Sequence, residues 1–281
     1  KNNCDIILTA DGDSDRPVLT YIEDNKIIYL PGDKLNTLVS LFLKPDFIAT
    51  PITINSKAVQ LLKDSNIELK QTKVGSPYII EAINQKLEQI IKSNQNKEYF
   101  LLAFEANGGS VFYSNKKINN IQLSSLPTRD AVFPLVCALA FAKSENLSIS
   151  QLVNQVFSGN YQSFSFSSLI ENTTEKTTKG CEKYTSEIGK QLISLLQSEK
   201  AKQIISKYLK IPESEILEIN SVDGIRIYTN NYTLHLRPSG NAPQFRVYSE
   251  AETLEQAKQI IEEHKENLIT LINDFINNKI I

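Results

Sequence analysis

The chain opens on an apolar run, Ile6-Ile7-Leu8, followed by "RPVLTYI", the polar "EDNK" and a second apolar run, "IIYLP". Two strand-length runs around a short Asp/Asn-containing segment predict a hairpin, which "PGDKL" closes as the end of a domain. From about 45 to 144 the pattern alternates. "DFIATPITI", "IELKQT" and "YFLLAFE" have the length and composition of strands, while "SKAVQLLKDS", "PYIIEAINQKLEQIIKS" and "RDAVFPLVCALAFAK" read as helices. Such alternation predicts a largely parallel sheet with covered faces. Ligands of these sheets meet the loops after the carboxyl ends of the strands, here "KVGS" at 73–76 and "EANGG" at 105–109.

The pattern then weakens. Residues 147–185 include "SGNYQSFSFSSLIENTTEKTTKG", Ser/Thr-rich and aperiodic, and read as a connector whose aromatics dock on a neighbour. A helix near 186–208, the strands "GIRIYT", "YTLHLR" and "FRVYSEA", and a long amphipathic helix from about 253 to 277 predict a small separate domain. The expected fold class is therefore α/β: a mixed, largely parallel α/β sandwich domain plus a smaller C-terminal α+β domain of helix, antiparallel strands and helix.

With 281 residues the chain is long enough for two domains or one large one. Thirty basic residues stand against thirty-two acidic ones, and no Lys/Arg block argues for nucleic acid or an anionic membrane, so a small-molecule partner is expected. The longest apolar run, "AVFPLVCALAFA" at 131–142, contains Pro134 and falls short of the roughly 20 residues of a spanning helix, so it reads as a core helix. Cys4, Cys137 and Cys181 lack metal-ligand spacing and suit reduced thiols, which points to the cytoplasm. The chain contains no methionine, and its first residues run straight into a strand. That pattern is expected of a chain starting partway through a longer protein; an initiator lost by processing or tag removal is the other reading.

The chemistry begins in "LTADGDSDRP", where Asp11, Asp13 and Asp15 occupy alternate positions after a strand. Carboxylates this close repel one another unless a cation compensates. Three hard oxygens in one loop suit Mg²⁺ or Ca²⁺. An EF-hand is excluded because its sixth position would be Arg16 and its twelfth Ile22, and Mg²⁺, which takes few carboxylates, fits better. The bland alternative is a solvated acidic turn. In "LRPSGNAP", Arg237, Ser239, Gly240 and Asn241 form a turn at a strand end that can make an anion nest with a bidentate guanidinium, although a plain hairpin turn explains the same letters. In "FEANGG", Glu105 ends an apolar strand and can accept hydrogen bonds from sugar hydroxyls; a solvated glutamate is the competing reading. "TKVGSPY" offers Lys73 and Gly75 in the same way. His235 and His264 have no partners in metal or triad spacing and read as structural.

These pieces, in this order, resemble the α-D-phosphohexomutase family over essentially the whole chain. "TADGDSDR" is similar to that family's metal loop, "TKVGSPYIIEAI" and "FEANGGSVF" to its sugar-recognition loops, and "RPSGNAPQFRVYSEA" to its phosphate-binding loop. The resemblance implies four domains around one cleft, Mg²⁺ held by Asp11, Asp13 and Asp15, and Arg16 beside a phosphoserine. It implies further that Lys73, Gly75, Glu105 and Asn107 contact the sugar, and that Arg237, Ser239, Gly240 and Asn241 hold its distal phosphate. The family's serine loop, of the form Thr-Ala-Ser-His-Asn-Pro, is absent from these 281 residues.

The domains expected on this basis are 1–32, the end of domain 2 with the metal loop; 33–146, domain 3; 147–185, a connector; and 186–281, domain 4. Asn107 stands where many members have serine, Ser76 where many have histidine or aspartate, and "SGNAP" replaces the commoner "SGTEP". These variants most resemble the bacterial phosphomannomutase branch. The activity implied is interconversion of mannose 6-phosphate and mannose 1-phosphate, with a hexose 1,6-bisphosphate as activator and intermediate and no turnover by this chain alone. A phosphoglucomutase of the same family, a non-catalytic sugar-phosphate-binding protein and a metal-dependent glycosyltransferase are the rival readings. The glycosyltransferase leaves the phosphate-type loop unexplained.

Overall fold

The computed structural model describes residues 4–93, 98–118, 120–159, 163–171, 181–238 and 244–277. The chain divides into two compact units, Lys1–Gln162 and Ser163–Ile281. In the first, strands β1 (Ile6–Ala10), β2 (Pro17–Glu23) and β3 (Lys26–Leu30) form an antiparallel sheet. The expected β2–β3 hairpin turns through Asp24 and Asn25, at φ 48° and 61°, a left-handed pair that matches the twist of the flanking strands.

A five-stranded sheet follows, with β4 (Phe47–Pro51), β5 (Glu68–Thr72), β6 (Phe100–Phe104), β7 (Ser110–Ser114) and β10 (Leu126–Asp130) in the order β10-β7-β6-β4-β5. β4 pairs parallel with β5 and β6, and β7 runs against both β6 and β10. The sheet is mixed, with β7 alone reversed among these strands. Two short strands, β8 (Lys117–Ile118) and β9 (Ile121–Gln122), pair with each other between β7 and β10.

The continuous apolar runs of β4 and β6 exist because both faces are covered. Phe47, Ala49, Leu101 and Ala103 pack on Ile79, Ala82 and Ile83 of α3 (Ser76–Lys92). Ile48, Phe100, Leu102 and Phe104 turn the other way, toward Val39 of α1 (Gly32–Leu43), Leu62 of α2 (Ser56–Asp64) and Cys137 of α4 (Val132–Ser144). The β1–β3 sheet joins that helical side, where Leu19, Tyr21 and Leu30 share a core with Leu35, Leu135 and Ala138 and with Ile149, Leu152 and Val153 of α5 (Ile149–Val156).

The second unit is a five-stranded antiparallel sheet in the order β11-β15-β14-β13-β12. Its strands are β11 (Phe164–Glu171), β12 (Glu218–Asn220), β13 (Ile225–Tyr228), β14 (Thr233–Pro238) and β15 (Gln244–Ala251). Helices α6 (Cys181–Leu196), α7 (Ala201–Leu209) and α8 (Leu254–Ile276) contribute Leu192, Ile205, Ile261 and Leu268 to one core with Ile225, Leu234, Leu236 and Val247.

Several elements differ from the sequence reading. "PGDKL" is the first turn of α1, which was missed because Asn36, Thr37 and Ser40 break its apolar stripe. All three are buried, with side chains bonded to backbone carbonyls. Within the span read as a connector lie α5, opened by a Ser148–Gln151 capping box, and β11, whose "FSFSSLIE" pairs in register along β15. The helix expected at 186–208 is two, α6 and α7, and the small domain has five strands where three were read. The helix expected to begin at Arg129 begins at Val132, because Leu126–Asp130 is strand. No single described helix is long and apolar enough to cross a membrane.

Candidate functional site

Asp11 shapes the loop between β1 and β2. Its amide donates to the Arg16 carbonyl at 3.1 Å, its carbonyl accepts from the Ser14 amide at 3.0 Å, and its Oδ1 accepts from the amides of Asp15 at 3.3 Å and Arg16 at 3.2 Å. This self-closure brings ligand oxygens of Asp11, Asp13 and Asp15 within 4.8 Å of one another. Arg16 Nε lies 3.5 Å from Asp11 Oδ2 and 3.6 Å from Asp15 Oδ1. Asp15 Oδ1 is buried without a hydrogen bond among the described residues.

The loop after β6 is clamped from below. The Gly108 amide donates to the Glu105 carbonyl at 2.9 Å, and the Gly109 amide donates to Asn107 Oδ1 at 3.0 Å. Asn36 Nδ2 on α1 donates to the Gly108 carbonyl at 2.8 Å. Gly32, at the start of α1, meets Gly108 backbone to backbone so closely that a Cβ there would overlap the Gly108 amide nitrogen. Gly108 itself has φ 94°, open to glycine at little cost.

One residue that the sequence reading missed joins these loops. Arg129 on β10 pairs through Nη2 with Asp15 Oδ2 and through Nη1 with Glu105 Oε2 at 2.9 Å, and Nη1 also donates to Ser76 Oγ at 3.2 Å. Ser76, the first residue of α3, donates from Oγ to Glu105 Oε2 at 2.9 Å. Asp11, Asp13, Asp15, Arg16 and Glu105 thus fall into one neighbourhood. Ser76, quoted only as a departure from the family pattern, belongs to the same network. In it four carboxylates face two guanidiniums, an excess of two negative charges that one divalent cation balances.

The three clustered carboxylates and the orphaned Asp15 oxygen fit Mg²⁺ in donor type and number. The other predicted residues of this unit make no ion pair in this network, although Asn107 Oδ1 and the Arg129 side chain both lie beside Gly109. Asn107 is exposed, with Oδ1 spent on Gly109. Gly75 precedes α3 at φ 133°, and the Lys73 ammonium lies 5.9 Å from the Tyr78 ring centroid.

In the second unit Arg237 ends β14. Its Nε pairs with Asp223 Oδ2 at 2.9 Å, while Nη1 is buried with no hydrogen-bond partner among the described residues. Opposite it in the ladder is Arg246, whose Nε is likewise buried and unpartnered there. Two unspent guanidinium donors on adjacent strands suit an anion. Ser239, Gly240 and Asn241 lie outside the described residues. Beside Arg237, His235 stacks on Tyr248 and bonds through Nε2 to the Asp223 carbonyl at 2.7 Å, so that nitrogen carries the proton. Burial pushes its pKa down to about 3, with Arg226 and Arg237 adding to the effect. His264 is also buried, its Nε2 3.2 Å from Tyr232 Oη. Both histidines are packed inside, as read.

Comparison with known proteins gives this geometry a context. The family model for phosphoglucomutase/phosphomannomutase α/β/α domain III matches residues 24–159, and that for the phosphoglucomutase/phosphomannomutase C-terminal domain matches 187–266. A phosphomannomutase of Salmonella muenchen is 34% identical over 265 residues, covering 93% of this chain and 48% of the relative. One from Sinorhizobium fredii is 33% identical, covering 92% and 48%. The chain thus spans about half the length of the curated relatives it matches. The solved structure of Aspergillus fumigatus N-acetylphosphoglucosamine mutase in complex with GlcNAc-6P and magnesium shares the fold, with a TM-score of 0.58, 14% identity and coverage of 96% of this chain and 50% of that one.

Proposed function

Because the chain belongs to the phosphoglucomutase/phosphomannomutase family, we propose that it forms the cation-binding, sugar-recognising and phosphate-anchoring part of a phosphohexomutase that interconverts mannose 6-phosphate and mannose 1-phosphate. The observation that carries this reading is the network in which Arg129 ties the three-aspartate loop to Glu105. Mannose is favoured over glucose because the relatives at 34% and 33% identity are phosphomannomutases. Along the family's plan, 1–32 closes a second domain, 33–146 with α5 forms the third, and β11 with 186–281 forms the fourth, so the span read as a connector is shared between the last two.

Asp11, Asp13 and Asp15 would hold Mg²⁺, which supplies neutralisation of charge on a phosphoryl group. Arg16, half-buried at the rim of that loop, faces the same anion. Glu105 accepts ring hydroxyls, with Asn107, Gly75 and Lys73 lining the sugar loops. Arg237 grips the phosphate that is not being transferred, assisted by Ser239, Gly240 and Asn241, and so fixes the sugar before chemistry. Transfer also needs a phosphoryl carrier. The proposed carrier is a phosphoserine absent from these residues, exchanging phosphate with the sugar through a hexose 1,6-bisphosphate that also serves as activator. The ligands are small molecules, and the compartment proposed is the cytoplasm.

The test is a ³¹P NMR assay with mannose 1-phosphate, Mg²⁺ and a hexose 1,6-bisphosphate, run on the full product of the gene beside the 281-residue chain. Turnover by the former and none by the latter is expected. Turnover by the chain alone overturns the placement of the carrier, and failure of the full product to turn over any hexose phosphate overturns the mutase reading.

A further inference from the structure

Arg129 lies where the ladder between β10 and β7 slips: Leu126 pairs with Phe112 and Asp130 with Ser110, so four steps along β10 span two along β7. Irregularities of this kind re-aim a side chain. Here the guanidinium reaches two loops that lie far apart in sequence. Its fork divides between two carboxylates, Nη2 on Asp15 Oδ2 and Nη1 on Glu105 Oε2, and takes one oxygen of each; the other Asp15 oxygen, Oδ1, faces the Arg16 Nε at 3.6 Å. Asp15 Oδ1 has no hydrogen bond, and both hydrogen bonds to the Glu105 carboxylate fall on Oε2.

We propose that Arg129 is a positioning residue that fixes Asp15 and Glu105 together, holding one oxygen of each so that Asp15 Oδ1 is kept for the cation and Glu105 Oε1 for a sugar hydroxyl. It touches neither ligand itself. The inference rests on the mutase reading above and adds to it a shared support for two recognition sites. The reason is geometric: a planar fork presents two directed donor edges at once, whereas a lysine offers one point charge. Losing a group that orients a ligand carboxylate from behind typically costs about 10- to 100-fold in metal affinity.

The test uses Arg129→Lys, which keeps the charge and loses the fork, with Mn²⁺ binding followed by EPR and mannose 1-phosphate binding by calorimetry on the 281-residue chain. R129K is expected to weaken Mn²⁺ by roughly tenfold or more and to weaken mannose 1-phosphate as well. In an Arg129→Lys, Glu105→Gln double variant, the lysine is expected to add nothing to the E105Q loss for the sugar, while its full effect on Mn²⁺ remains. A merely structural residue lowers the melting temperature without this split. Parent-like affinities for both probes in R129K, or additive sugar losses in the double variant, overturn the proposal. Ser76→Ala gives an independent reading should R129K not fold: S76A is expected to weaken mannose 1-phosphate and spare Mn²⁺, and the reverse pattern overturns the proposal. A parent chain that binds neither probe removes the mutase reading and this inference with it, whereas a parent that binds both beside an unaffected R129K removes only the inference.

Discussion

Asp13 is the exposed member of the aspartate cluster, and its side chain makes no hydrogen bond or ion pair among the described residues. Asp13→Ala therefore removes a proposed cation ligand without opening the fold. Its expected effect on Mn²⁺ affinity, measured by EPR, is roughly 100-fold or more, above the loss usual for outer partners, with an unchanged melting temperature; unchanged affinity reduces the cluster to an acidic turn. Arg237 poses a different question, because its Nε is already spent on Asp223. Arg237→Lys cannot serve Asp223 and a phosphate together, so hexose phosphate binding is expected to weaken by ~1–2 kcal/mol, the difference between a bidentate charged pair and a single charged hydrogen bond. Calorimetry with mannose 6-phosphate against free mannose measures it, and equal behaviour of the two ligands contradicts it. The aspartates were legible because like charge concentrated in a short stretch demands an explanation. Arg129 was not, because nothing in "LPTRDAV" announces that its fork reaches Asp15 and Glu105; that information exists only in the folded sheet.

Elements carry their own constraints. The start of α1 touches the loop after β6 at Gly32, where the neighbour is backbone and cannot rotate away. Gly32→Ala is expected to cost about 1–3 kcal/mol, the usual range for overpacking, and to weaken sugar-phosphate binding because the displaced loop begins with Glu105. Urea unfolding and calorimetry on one sample check both parts, and a parent-like result in both shows that the approach is not tight. His235 on β14 gives a pH signature. Its pKa in the fold is about 3 against an ordinary 6.5, so below 6.5 the unfolded chain takes up a proton that the native chain refuses. This contribution to stability is whole above pH 6.5 and is lost between 6.5 and about 3, by up to about 1.4 kcal/mol per pH unit. His235→Gln is expected to flatten the pH slope of stability relative to parent in that window, and identical slopes would place the titration elsewhere. At this scale strands and helices with a clean period were legible, as in "SKAVQLLKDS". The helix α1 was hidden by buried polar residues, and β11 by a Ser/Thr-rich composition that masked its own alternation of phenylalanine and serine.

For the whole molecule, an α/β unit and a smaller antiparallel unit were legible in the change of pattern, while the division between Gln162 and Ser163 and the strand count of the second unit were not, since α5 and the edge strand β11 lie in the Ser/Thr-rich span read as a connector. Each unit carries its own candidate recognition feature: a carboxylate-rich cluster in the first, and unspent guanidinium donors in the second. The most direct measurement is calorimetry of the 281-residue chain with mannose 1-phosphate, with and without Mg²⁺, against free mannose and against Asp13→Ala. Binding of the sugar phosphate well above the free sugar, with a Mg²⁺ dependence that D13A abolishes, is the predicted result. Equal binding of mannose and mannose 1-phosphate, or a Mg²⁺ response that survives in D13A, would contradict it.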